Sequence, residues 1–96
     1  MRNKICDKLI RREERRDEGY QYTYELTSRE GDAVATFGLP LYSIRITLTD
    51  PSGNCREANA KDVFSNVEKS KEFFDKLVKN LATPIDLIYI LEDEIG

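Results

Sequence analysis

Over Tyr20 to Thr27, Tyr42 to Thr49 and about Cys55 to Lys61 the apolar side chains of this chain recur at every second position, and from Ser65 onward they recur at helical spacing. A chain that alternates first and coils afterwards segregates its strands from its helices, which is the α+β pattern. The clearest strand runs from Tyr42 to Thr49, where Tyr42, Ile44, Ile46 and Leu48 alternate with Ser43, Arg45, Thr47 and Thr49. It leads into Asp50-Pro51-Ser52-Gly53-Asn54, whose residues suit a tight reversal. The returning strand, about Cys55 to Lys61, sets Ala58 and Ala60 on one face and Glu57, Asn59 and Lys61 on the other. Alanines on the inner face leave room for a helix to approach the sheet closely.

Upstream, Tyr20, Tyr22, Tyr24 and Leu26 alternate with Gln21, Thr23, Glu25 and Thr27, which predicts another antiparallel strand. Lys4 to Arg12 suits an irregular edge strand or a short helix; the strand is preferred because Asp17-Glu18-Gly19 reads as a hairpin connection. Between Arg29 and Pro40 the pattern weakens: Glu30-Gly31-Asp32 is a turn, Ala33 to Phe37 is at most a short strand, and Gly38-Leu39-Pro40 breaks it. The stretch is read as loop.

Ser65 with Glu68 three residues later has the form of a capping box and predicts a helix start. Val67, Phe73, Phe74, Leu77, Val78 and Leu81 make its apolar stripe. Thr83 as N-cap, Pro84 at the first helical position and Asp86 in the first turn predict a second helix. In that helix Ile85, Ile88, Leu91 and Ile95 form one stripe, while Leu87 and Ile90 lie away from it, so more than one face needs cover. The helix is expected either to complete the core against the Phe73-Phe74 helix or, in part, to form an oligomer or partner surface. The expected architecture is thus a small antiparallel sheet of three to five strands followed by two C-terminal α-helices packed on one face, in a single domain over residues 1–96.

Composition narrows the function classes. An apolar fraction of 40% and a charged fraction of 34% belong to a folded chain with a heavily charged surface. No apolar run approaches the roughly 20 residues that span a bilayer, and Arg2, Lys4, Asp7 and Lys8 leave no signal-peptide core, so the cytoplasm is expected and no membrane. Residues 1–16 hold seven basic and three acidic side chains, a net of +4, which leaves −7 for the remainder of a chain whose total is −3. A negative body disfavours nucleic acid, where affinity comes mainly from neutralised phosphates.

The absence of histidine removes Ser-His-Asp, Cys-His and imidazole-metal sites. Cys6 and Cys55 are too few for a disulfide scaffold and too far apart for a zinc site, and are read as reduced, half-buried thiols. No phosphate-cradling glycine motif occurs, and Asp50 to Asn54 lacks the spaced acids of a calcium loop. Glu92, Asp93 and Glu94 point in different directions round a helix and read as a solvated end, although acids there oppose the helix dipole. Relief from the basic N-terminal segment or a basic partner is expected. Arg11, Arg12, Arg15 and Arg16 beside Tyr20, Tyr22 and Tyr24 imitate a stacking and phosphate-binding strip; a charged edge strand that resists aggregation is the preferred reading.

The C-terminal half carries a resemblance. Asp62-Val63-Phe64-Ser65, the helix after it, Asn80-Leu81-Ala82-Thr83-Pro84-Ile85-Asp86-Leu87 and Leu91-Glu92-Asp93 resemble a family of short, uncharacterised proteins from Gram-positive bacteria, classed as a domain of unknown function. The strand from Leu41 to Thr49 is similar to that family's Tyr-Gly-Ile-type strand, with Ser43 in place of glycine. The resemblance implies a fold and a cytoplasmic bacterial setting, and transfers no functional residue.

These readings point to a non-enzymatic protein-interaction or regulatory module whose partner is another protein or a second copy. A nucleic-acid binder using the basic segment and its tyrosines is the alternative, with an enzyme behind it. The candidate partner-binding residues are Arg12, Arg16, Tyr20, Tyr22, Leu87 and Ile90. No catalytic, cofactor-binding or metal-binding residue, no cofactor and no small-molecule ligand are expected.

Overall fold

The computed structural model describes residues 8–31 and 37–95. Four strands, β1 (Lys8–Asp17), β2 (Tyr20–Glu30), β3 (Pro40–Thr49) and β4 (Cys55–Phe64), precede two helices, α1 (Val67–Lys79) and α2 (Pro84–Ile95). The sheet is antiparallel throughout and its spatial order is β1-β2-β3-β4. The strand alternative for the N-terminal segment is the one found, beginning at Lys8. Ile5 and Cys6 lie outside the described residues, as do positions 32–36 and the side chains of Glu94 and Ile95.

Turn chemistry fixes the hairpins. Glu18 and Gly19 both adopt positive φ (52° and 86°), the two-residue reversal whose twist matches antiparallel strands. In the β3–β4 turn the Asp50 carboxylate accepts from the backbone N–H groups of Ser52 and Asn54 at 3.0 and 2.9 Å, and from the Ser52 hydroxyl at 2.9 Å. Those bonds, that of the Asn54 amide first, hold the Asp50 carboxyl below its ordinary value. The β2–β3 connection is drawn together by Gly31 N–H donating to Leu39 O at 2.8 Å.

Side chains directly opposite each other in an antiparallel pair share a face. Tyr24 faces Ile46, Leu26 faces Ile44, and Ile44 and Ile46 face Ala60 and Ala58 across β4. These residues, save Ala58, which is half-buried against them, join Phe73, Phe74 and Leu77 of α1, Ala82 of the inter-helix link and Leu87 of α2 in one core cluster. The Tyr24 hydroxyl donates to Ala82 O at 2.8 Å, tying mid-sheet to that link.

Two expectations are corrected. The cap of α1 is Asn66, whose side-chain oxygen accepts from Lys69 N–H at 3.0 Å; Ser65 is spent on the connection because β4 runs on to Phe64. The reciprocal box belongs to α2, where Thr83 N–H donates to the Asp86 carboxylate at 3.0 Å and Asp86 N–H to the Thr83 hydroxyl at 3.2 Å. Cys55 is exposed rather than half-buried, because it opens β4 at the hairpin base, where its sulfur meets Thr49 Oγ1 at 3.2 Å.

Candidate docking surface

The phase of α2 is set by its start. With Thr83 capping and Pro84 buried, Pro84 and Leu87 turn inward and Ile90 and Leu91 are half-buried against the core. This leaves a second apolar stripe at Ile85, Ile88 and Tyr89, at the i, i+3, i+4 spacing of one helix face. They are 60%, 57% and 67% exposed, against 1% for Leu87. The stripe borders a groove of about 510 Å³ whose other wall is Arg56, Glu57 and Ala58 of β4, with Glu92 at one end. A more polar cleft of about 360 Å³ lies between the two hairpin tips, lined by Gly19 and Pro51 among others.

β4 is an edge of the sheet, so one side of its backbone has no neighbouring strand among the described residues. Its outward run ends at an irregularity. Between the pairs Ile44/Ala60 and Tyr42/Phe64 the ladder shifts register, and Asp62 there has a φ of 54°. The bulge is pinned from two sides: Asp62 N–H donates to the buried Ser43 hydroxyl at 2.8 Å, and its carboxylate takes both the Nε (3.1 Å) and an Nη of Arg29. Those Arg29 bonds hold the Asp62 carboxyl below its ordinary value. Ser43, where the resembled strand has glycine, thus has a defined task.

The other edge is handled differently. On β1, Arg11 reaches the Asp75 carboxylate of α1 at 2.5 Å and lies over the Phe74 ring, while Arg15 donates to Val78 O in the last turn of α1 at 2.9 Å. The basic segment therefore serves the C-terminal end of α1. The last turn of α2 contains no basic residue.

The candidates raised by sequence are scattered. Arg12 pairs with Glu25 and Arg16 with Gln21, so both lie on the sheet face opposite to Tyr20 and Tyr22, which pair with Asp17 and Arg15. Arg12 is further engaged by Glu14 at 3.0 Å and Glu25 at 3.9 Å. Tyr22 stacks on Tyr24 with ring centroids 6.3 Å apart, and Tyr20 is partly exposed. The arginine–tyrosine strip is thereby split across two faces. Leu87 is withdrawn as a partner-facing residue because it is core, and Ile90 packs against the same cluster. The residues missed are Ile85, Ile88 and Tyr89; Thr83-Pro84 was the signal, since it fixes which side of α2 turns inward.

Among the described residues no group of three or more cysteine or acidic side chains is placed to hold a metal ion, and no helix is long and apolar enough to cross a membrane. The model of a family of unknown function, DUF6514, matches residues 3–96. Neither a curated protein nor a solved structure matches the chain significantly.

Proposed function

Because the chain belongs to the DUF6514 family, for which no function is known, no activity comes with the membership, and we propose from geometry that it is a protein-interaction module without catalytic activity, in the cytoplasmic bacterial setting that the resemblance implies. Its docking surface is the groove between α2 and the β4 edge. The carrying observation is the exposure of Ile85, Ile88 and Tyr89 beside a strand edge with no neighbour among the described residues. A large apolar cluster left in water is a feature of interaction sites, and an open edge offers backbone groups to an incoming strand. We read both helices as covering one face of the sheet, which leaves the opposite face solvated. The ion pair of Arg45 with Glu25, at 2.7 Å on that opposite face, fits a surface meant for water.

A photo-crosslinking residue placed at position 89 tests the reading, with position 14 on β1 as the control. Position 89 should yield a protein adduct in the host that position 14 does not. The captured protein, once identified and purified, should bind the purified chain and lose binding when Ile85 and Ile88 become Ser. Equal labelling at 89 and 14 would refute the docking surface.

A further inference from the structure

The occupant of this surface is legible in the charges of β4. Arg56-Glu57-Ala58-Asn59-Ala60-Lys61 lies along the open edge, with Glu57, Asn59 and Lys61 on one sheet face and Ala58 and Ala60 on the other. An antiparallel strand added to an edge by a twofold axis perpendicular to the sheet must bring one residue opposite its own copy. It also keeps each side chain on its original face. With the axis at Asn59, Glu57 falls opposite the partner copy of Lys61, Lys61 opposite the partner copy of Glu57, and Ala58 opposite Ala60. Each attractive cross-strand pair is then formed twice. The neighbouring axes lack this match. Centring on Glu57 or Lys61 sets like charges together, while centring on Ala58 or Ala60 leaves Glu57 or Lys61 against asparagine.

On the other edge every axis from Arg11 to Arg16 sets a charged residue against its own copy. An axis at Glu13 of β1 opposes glutamate to glutamate and Arg11 to Arg15; an axis at Glu14 again opposes glutamates and sets Arg12 against Arg16. Each edge also carries a register shift, between Leu9 and Arg11 on β1 and between Ala60 and Phe64 on β4. Among these axes the one at Asn59 of β4 alone has an uncharged centre flanked by attractive pairs.

From this asymmetry we infer that the chain forms a homodimer through antiparallel pairing of β4 with β4 of a second copy, in the register centred on Asn59. The eight strands then make one continuous sheet. Since the axis preserves faces, the two α2 helices come to the same side of that sheet. Ile85, Ile88 and Tyr89 of each copy meet across the axis, which covers the exposed stripe. The inference rests on the docking reading above and names its occupant.

Charge exchange tests the register. Purified chain at about 100 µM should sediment as a dimer, an affinity in reach of an interface of ordinary size. Glu57→Lys alone and Lys61→Glu alone should each weaken dimerisation at least about tenfold, because two like-charge contacts replace two attractive ones. Mixing these two variants should give a heterodimer, and Glu57→Lys with Lys61→Glu in one chain should restore the homodimer. A monomeric wild type at about 100 µM, or an exchanged double variant no better than the singles, would overturn the inference. Should a single variant fail to fold, Asn59→Cys in a chain with Cys6→Ser and Cys55→Ser supplies the second measurement. It should oxidise to an intermolecular disulfide, and failure to do so would count against the axis. Adducts at position 89 with some other protein, alongside a monomeric chain, would leave the docking surface standing with a different occupant; no adduct there would remove the docking surface itself.

Discussion

Replacing Tyr24 by Phe removes one oxygen from the middle of the core and should be felt in two separate ways. Tyr24 has no exposed surface, and its hydroxyl donates to the carbonyl of Ala82, which is also buried. The Phe variant retains the ring and its packing. It loses a hydrogen bond with a net contribution of about 1 kcal/mol, rising to about 2 kcal/mol if the carbonyl stays dry. For a domain of this length each kcal/mol moves Tm by roughly 4–8 °C, so a fall of about 5–15 °C at neutral pH is expected. The second effect is in the pH dependence. Burial, followed by the neighbouring Tyr22, pushes the Tyr24 phenol well above its ordinary value of 10.0. A raised value in the fold means that this contribution is complete below about pH 10 and is lost as the pH climbs beyond it, by up to about 1.4 kcal/mol per pH unit. The Phe variant has nothing to ionise there. Thermal melts followed by circular dichroism from about pH 8 to pH 11 should therefore show the gap between the two proteins narrowing at the alkaline end. Curves that stay parallel across that range would refute the assignment of the buried phenol, and an unchanged Tm at neutral pH would refute the bond to Ala82.

Leu87→Ala should cost about 2–5 kcal/mol in denaturant titrations, a large share of a small domain's stability, whereas Ile88→Ser in dilute solution should stay within about 0.5 kcal/mol. Equal costs would mean that α2 is phased differently. Asn66→Ala should lower stability by about 1 kcal/mol and Ser65→Ala by less than about 0.5 kcal/mol, as read from paired melts. Asp62→Asn should cost about 1 kcal/mol at neutral pH. Its carboxyl is held below the ordinary 3.8 by Arg29, so its stabilisation is present above about pH 4 and fades as the pH falls through the lowered value. Acid titrations of the Asn variant should accordingly be shallower in that window.

Much of this architecture is written locally. Tyr42 to Thr49 declares its period, and the Asp50 turn and the Glu18-Gly19 reversal each follow from residues that tolerate the required backbone. What stayed hidden depends on relations between elements. Between Pro84 and Leu91 only Asp86 is polar, so the periodicity of α2 is nearly silent about which stripe faces the sheet. The capping geometry at Thr83 and the position of β4 decide it. Likewise the arginines of β1 and the tyrosines of β2 are close in sequence, yet a two-residue turn sets Arg15, and not Arg16, opposite Tyr22. The charges of β4 were in plain sight as an alternating run. They acquire meaning only when the strand order shows that this strand, and not β2 or β3, lies at an edge.

The sheet's spatial order repeats the order of the chain, and both helices come last. Every strand pair therefore closes through a short connection, at a small cost in loop entropy, and none waits for a distant segment. During synthesis the four strands leave the ribosome before any helix does. Tyr24, Leu26, Ile44 and Ile46 can then be aligned on one side of a nascent sheet while nothing yet covers them, and Leu87 arrives after all four strands and α1. The segment that completes the interior thus follows the whole sheet in translation, and until it emerges the growing chain presents to the cell the apolar surface that the folded protein keeps buried.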